Sequence, residues 1–276
     1  MIERNELPQC RTGSGVLIAV HGGPTSVRTI QIGLSMADRQ GTDAAIVTVA
    51  PPGLEQVHRS AVERRLAEAV GGRTIPVYVV NGPLGTAIAD VAEGWRAALV
   101  VIGMGIGAHV TAVAILRKAR RCVLAVAPSG PPTIGSVILT ADFGSSAVAA
   151  DECALSLLAA DADAELVHVV PEMQALSAEK HAVWCRIYDS VAAELLEHTR
   201  ELLPHRNGHA IPTRVLTGDA ARVLVDIAAH EHVDLIALGR HALPSSPGTK
   251  DPLGPVLESV LEEAPCSVLV APASST

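Results

Sequence analysis

The feature that most limits what this chain can fold into is that it passes through the same series of landmarks twice. "VLIAV" from Val16 is answered by "VILTA" from Val137, and "AAIVTVAPP" by "AELVHVVPE". "IPVYVVNGP" is answered by "IPTRVLTGD", "ALVVIG" by "DLIALG", and "CVLAVAP" by "CSVLVAP". His21 and Asp142 are 121 residues apart, Pro51 and Pro171 are 120, Gly82 and Gly218 are 136, and Gly103 and Gly239 are 136. Cys122 and Cys266, 144 apart, are read as equivalent fifth-strand residues packed as small hydrophobes. The second copy thus carries about 16 extra residues before its third strand and about 8 after its fourth.

Apolar runs alternate with helical patterns, which indicates βαβ units and a parallel sheet. The runs are nearly continuous, as expected of strands covered by helices on both faces. The first extra segment reads as a helix with Val183, Ile187, Val191 and Leu195 on one face, and Trp184 and Tyr188 packing beside it. "APSGPPTIG", from Ala127 to Gly135, is rich in Pro and Gly and marks the boundary. The expected organisation is a tail over 1–12, one domain over 13–130 and a second over 131–276. Open sheets need their edges covered, so the two fifth strands are expected to join the halves as an internal pseudo-dimer. One continuous sheet, or antiparallel central strands, would count against a repeat on this reading.

Hydrophobic residues make up 49% of the 276, enough for a large core, yet aromatics are only 2%, which argues against base-stacking surfaces. The net charge of -8 implies no basic face for nucleic acid. The one basic cluster (Arg117, Lys118, Arg120, Arg121) reads as a solvated helix end. No apolar run approaches the ~20 residues that span a bilayer, and the amino terminus lacks a signal-peptide core. Five cysteines without CxxC spacing fit reduced thiols, so a cytoplasmic protein is expected.

Ligands of open parallel sheets bind beyond the carboxyl ends of the strands. In the second copy Asp142 ends the first strand, Val169 lies near the end of the second, and Gly239 ends the fourth. Gly239 opens a long loop, "GRHALPSSPGTKDPLG", that leads to a helix start near Pro255. Amides at that start, with Ser245, Ser246, Thr249 and Lys250, could hold an anion.

The tandem units, with "TADFGSS", "LVHVVPE", "DLIALGR" and "LGPVLESVLEEAPCSVLVAP", resemble the universal stress protein family over nearly the whole chain after Gly15. The resemblance implies two tandem α/β domains, each a five-stranded parallel sheet flanked by helices, Rossmann-like and of the adenine nucleotide alpha-hydrolase-like kind. It also implies pairing through the last strand and, in one branch, ATP binding. Carried over by residue, Asp142 and Val169 would hold adenosine, Gly239 and Gly254 would hold phosphates, and Val256 follows the loop's Gly-Ser position. Ala242 replaces a loop glycine and Pro255 the serine, and 14 residues rather than the pattern's 12 separate Gly239 from Gly254.

In the first copy His21 replaces the aspartate, and Gly103, Gly105 and Gly107 form a loop too short for a triphosphate. "HGGPTS" therefore reads as the relic and "ADFGSS" as the site. "HGGPTS" also resembles a pyrophosphatase loop, Ser-Gly-Gly-x-Asp-Ser, but Thr25 stands where the magnesium-handling carboxylate belongs. With no GxSxG, HExxH or convergent histidines, no metal site and no catalytic activity are expected. The implied function is binding and regulation in stress adaptation. A homodimer or an unidentified regulatory protein is the expected partner, with no nucleic acid and no membrane. The alternative is a member that binds no nucleotide and acts through protein contacts alone; a nucleotide-hydrolysing enzyme ranks last.

Overall fold

The computed structural model describes residues 15–70, 74–104, 112, 115–116, 118, 121–159, 161–171, 178–205, 210–240 and 254–272. In the first half, β1 (Gly15–Ala19), β2 (Asp43–Val49), β3 (Val77–Val80), β4 (Ala97–Gly103) and β5 (Cys122–Val126) alternate with α1 (Ser26–Gln40), α2 (Glu55–Val70) and α3 (Leu84–Gly94). In the second, β6 (Ser136–Thr140), β7 (Asp163–Val170), β8 (Thr213–Thr217), β9 (Leu235–Gly239) and β10 (Ser267–Ala271) alternate with α4 (Ser145–Leu157), α5 (Ala178–Leu202), α6 (Ala220–His230) and α7 (Pro255–Glu263).

The strands form one ten-stranded sheet in the order β3-β2-β1-β4-β5-β10-β9-β6-β7-β8. Each half has the same internal order, third-second-first-fourth-fifth, and every pairing within a half is parallel. The fifth strands pair antiparallel, Val123 opposite Val270 and Ala125 opposite Val268. The sheet is thus continuous with an antiparallel central pair, which corrects the expectation that either feature would count against a repeat. Joining two parallel units through their last strands about a local two-fold produces both features. The β5–β10 pair also removes two open edges.

The repeat extends to backbone details that composition hides. Gly82 and Gly218 both have positive φ, 129° and 149°. Arg96 and His232, also 136 apart, are left-handed at 59° and 54° just after α3 and α6. One equivalence needs correcting. Gly103 is level with Val126, and Gly239 with Ala271, so the partner of Cys122 is Ser267 and not Cys266. A slip of one residue in a strand reverses the face. Cys122 accordingly packs on one side of the sheet and Cys266 on the other.

Each face of the sheet carries one apolar layer, and each layer crosses the seam. One joins Ile18, Ile46 and Leu124 to Leu139, Leu166 and Leu269. The other joins Leu17, Val100 and Val123 to Ile236, Leu238 and Val270. On the first face α1 and α4 meet, where Arg39 Nη1 donates to the Leu157 carbonyl at 2.8 Å and Gln40 Nε2 to Ser156 Oγ at 3.3 Å. The Pro/Gly-rich connector is held down. Arg28 donates to the carbonyls of Ala127, Gly130 and Pro131. At the connector's far end Asp234 Oδ2 accepts from the Gly135 amide at 2.8 Å.

The extra helix α5 exists, but over its described second half the buried face is one residue off the expected stripe. Ala192, Leu196 and Thr199 are buried, whereas Val191 and Leu195 are about half exposed (50% and 42%). The side chains of Val183, Trp184 and Ile187 lie outside the described residues. Among the described residues no helix is long and apolar enough to cross a membrane.

Candidate functional site

Three strand exits and two helix starts of the second half surround a cavity of about 220 Å³ at the carboxyl edge of the sheet. Asp142, Val169, Gly239, Gly254 and Val256, the five residues singled out from sequence, all line it. They come from well-separated points in the chain, so their convergence is a product of the fold. Alternation along β7 puts Val167 and Val169 on the α6/α7 side, with Leu224, Leu238 and Leu257 in the same apolar layer. The walls are therefore mostly apolar, with Asp142 half-buried among them.

Asp142 closes the β6 exit. Its Oδ1 accepts from the Gly144 amide at 2.7 Å, an Asx-type turn that leads into α4. Phe143 between them is left-handed (φ 60°), and its ring lies against His168, tilted by 38° with centroids 4.5 Å apart. His168 Nδ1 donates to the Ala141 carbonyl at 2.6 Å. The Thr140 hydroxyl is engaged by the Ala237 carbonyl at 2.7 Å.

Gly239 is required by space. A Cβ there would lie 2.4 Å from the Ala147 nitrogen and 2.6 Å from the Ser146 carbonyl carbon. The end of β9 therefore touches the backbone of the first turn of α4. Gly254 is required by conformation instead: its φ is 94°, and a Cβ there would meet nothing within 4 Å. It caps α7, where Pro255 at the first position lacks an amide hydrogen and the Gly254 carbonyl accepts from the Glu258 amide at 3.1 Å. Val256 and Leu257 are left as the amides of that turn without an intrahelical acceptor, beside the cavity. α6 also begins here. Asp219 caps it by accepting from the Arg222 amide at 3.0 Å, and Ala220 lines the cavity.

After Gly239 the chain turns toward the first half. The Arg240 amide donates to the Ala271 carbonyl at 3.0 Å, and its buried guanidinium donates to the Leu116 carbonyl, also at 3.0 Å. The loop residues Ala242, Ser245, Ser246, Thr249 and Lys250 lie outside the described residues, as do Gly105 and Gly107 of the first half.

Sequence reading missed Asp151. It sits on α4, fully buried, and among the described residues neither carboxylate oxygen has a well-formed hydrogen bond. Burial, and then the nearby Asp142 charge, push its carboxyl well above the usual carboxylate range. No local signal marks it: helical spacing puts it beside Ala147 and Ala154 on the sheet-facing side, where an apolar residue would be expected.

The first half's corresponding exit is built differently. His21 is exposed and its Nε2 would lie 2.5 Å from a Cβ at Gly23. Gly22 (φ 81°) abuts Ala61 of α2, and its carbonyl accepts from Arg65 Nε at 3.2 Å. Among the described residues no group of three metal-ligating side chains occurs.

In open parallel α/β sheets a cleft at the carboxyl edge of the strands is the usual place for a ligand. The Universal stress protein family model matches residues 134–272, half of the chain, and the chain belongs to this family. A universal stress protein from Archaeoglobus fulgidus DSM 4304 superposes with a TM-score of 0.64 at 14% identity, covering 95% of this chain and 97% of that one. A functionally unknown protein from Pseudomonas aeruginosa PAO1 does so with a TM-score of 0.69 at 13% identity, over 94% and 92%. At these identities the likeness concerns the fold, and it spans both halves. No curated protein matches the chain.

Proposed function

We propose that this universal stress protein binds an adenine nucleotide in the second-half cavity, and that it acts by binding rather than turnover, as a regulator in stress adaptation. The observation that carries the reading is the convergence of Asp142, Val169, Gly239, Gly254 and Val256 on one cleft. Apolar walls suit a base, the half-buried Asp142 carboxylate in the lining suits ribose or base donors, and the amides at the start of α7 suit phosphate. A cavity of about 220 Å³ is smaller than the roughly 300–1,000 Å³ that encloses a drug-sized ligand, so it takes the nucleoside end and leaves the phosphates at the rim. Pro255 removes one phosphate donor and Glu258 adds a negative charge to the first turn, so a monophosphate should bind at least as well as a triphosphate.

In this reading residues 13–130 and 131–276 act as two domains, and the first supports the second through the seam. Arg65 and Ala61 occupy the first half's exit, which favours the relic role for "HGGPTS". Titration calorimetry with AMP and ATP tests the proposal. Binding at one site per chain is expected, with Asp142→Ala weakening it about tenfold or more, the equivalent of roughly 1.5–3 kcal/mol for a hydrogen bond to a charged group. Unchanged affinity in that variant would reject the site. No binding by the wild-type protein would leave the protein-contact alternative.

A further inference from the structure

The second half has an open cleft of about 470 Å³ at its amino edge, beside the starts of β6 and β7 and the end of α6. It lies at the opposite ends of the strands from the Asp142 cavity. The first half shows what the repeat places there. α3 and α6 end at equivalent residues, Trp95 and Glu231, each the C-cap of its helix and each followed by a left-handed residue. Trp95 is buried in one apolar layer with Leu17, Ala45 and Ala97. Its ring lies so close to the start of β1 that a Cβ at Gly15 would be 2.6 Å from Cη2. Strand register makes Ser136 the counterpart of Gly15, Glu165 that of Ala45 and Arg214 that of Tyr78. The cleft is lined by Ser136, Glu165, Glu231 and Val233, which stand for Gly15, Ala45, Trp95 and Ala97. It is the place that an indole fills in the first half.

We propose that this cleft binds a small aromatic ammonium compound, with its ring on the surface that Trp95 covers in the first half and its ammonium against the Glu165, Glu231 and Asp163 carboxylates. The volume falls within the roughly 300–1,000 Å³ of small-molecule sites. The apolar part of the lining, with Ile138, Ile211 and Val233, suits a ring. The charged part is fixed in place. Arg214 Nε donates to Glu165 Oε1 at 2.9 Å, Nη1 to Glu231 Oε1 at 2.7 Å and Nη2 to Glu231 Oε2 at 3.1 Å. The guanidinium therefore spends its donors on carboxylates and offers little to an anion. Each carboxylate oxygen keeps a lone pair, and Asp163 adds a third carboxylate, so the described lining carries negative charge in excess. The bonds from Arg214 hold the Glu231 carboxyl below its ordinary range, which keeps it charged at neutral pH.

Titration calorimetry of the full chain with tryptamine tests this, and indole-3-propionate supplies a similar ring with the opposite charge. Tryptamine should bind at one site per chain, more tightly than indole-3-propionate and more weakly as salt is raised. Asp142→Ala should leave that affinity unchanged, which separates this cleft from the one at the carboxyl edge. Glu231→Gln keeps the shape and an oxygen for Arg214 but loses the charge. Because the Glu231 side chain is 46% exposed, the loss should be roughly two- to fivefold. Glu231→Trp combined with Ser136→Gly writes the first half's packing into the second and should abolish binding. No tryptamine binding by the wild-type protein would overturn the proposal. So would equal affinity for indole-3-propionate, full affinity in Glu231→Gln, or loss of binding in Asp142→Ala.

Discussion

Gly239→Ala and Gly103→Ala make the same change at equivalent places in the two halves, and the structure separates their outcomes. At Gly239 the new methyl carbon would sit 2.4 Å from the Ala147 nitrogen and 2.6 Å from the Ser146 carbonyl carbon. Ordinary contact begins near 3.4 Å. The chain must open by about 1 Å, and the obstacle is backbone, which no rotamer change relieves. Overpacking of this kind costs about 1–3 kcal/mol. At Gly103 the methyl would meet Thr29 Oγ1 at 2.8 Å and no backbone. Threonine in a helix has two accessible rotamers, so the hydroxyl can swing away. What it gives up is its bond to the Thr25 carbonyl, at 3.2 Å a weak one, so the cost is at most about 0.5–1.5 kcal/mol. In a thermal melt Gly239→Ala should lower Tm by several degrees, at roughly 2–4 °C per kcal/mol for a chain of this order of size, and clearly more than Gly103→Ala does. Gly239→Ala should also weaken AMP binding, because α4 and the end of β9 move apart at the cleft. A Gly239→Ala protein that melts with the wild type, or a Gly103→Ala protein that is damaged equally, would refute the close-approach argument.

Arg28→Ala should destabilise the protein by about 1.5–3 kcal/mol in urea unfolding, since one cation holds the Ala127, Gly130 and Pro131 carbonyls of the connector; wild-type stability would show that the connector holds itself. Asp151→Asn should be more stable than wild type at pH 7, with the gain shrinking as pH falls. The folded-state pKa of Asp151 is raised, so between the unfolded carboxylate pKa and that raised value the folded state binds the extra proton and wild-type stability falls as pH rises, by about 1.4 kcal/mol per unit at most. Parallel stability–pH curves for the two proteins would contradict this. Asp142→Asn keeps an oxygen for the Gly144 amide but loses the charge, so Tm should hold while AMP affinity drops; a matching drop in both would make Asp142 structural only.

Much of the fold is legible in the chain because its signals are local and doubled. Val16–Val20 and Val137–Ala141 read as buried strands by composition alone, and Gly82 and Gly218 mark turns that do need positive φ. The cleft residues are legible for a different reason. Asp142, Val169 and Gly239 lie at strand exits, and parallel topology places such exits along one edge. What stays hidden in the sequence depends on side-chain direction or long-range contact. The choice between Val191 and Ala192 as the buried face of α5 turns on a rotation of one residue, and both stripes are apolar. The separation of Cys122 from Cys266 onto opposite faces of the sheet depends on a one-residue register that spacing alone misjudges. Asp151 breaks the apolar pattern of α4 at a place where nothing in the neighbouring sequence announces burial.

The most direct test of the account is a crystal structure of the protein grown with AMP. The account predicts adenosine density between Asp142 and Val169, the phosphate near Gly239 and the start of α7, and no nucleotide beside His21. Nucleotide density beside His21 with the Asp142 cleft empty would reverse the assignment of site and relic.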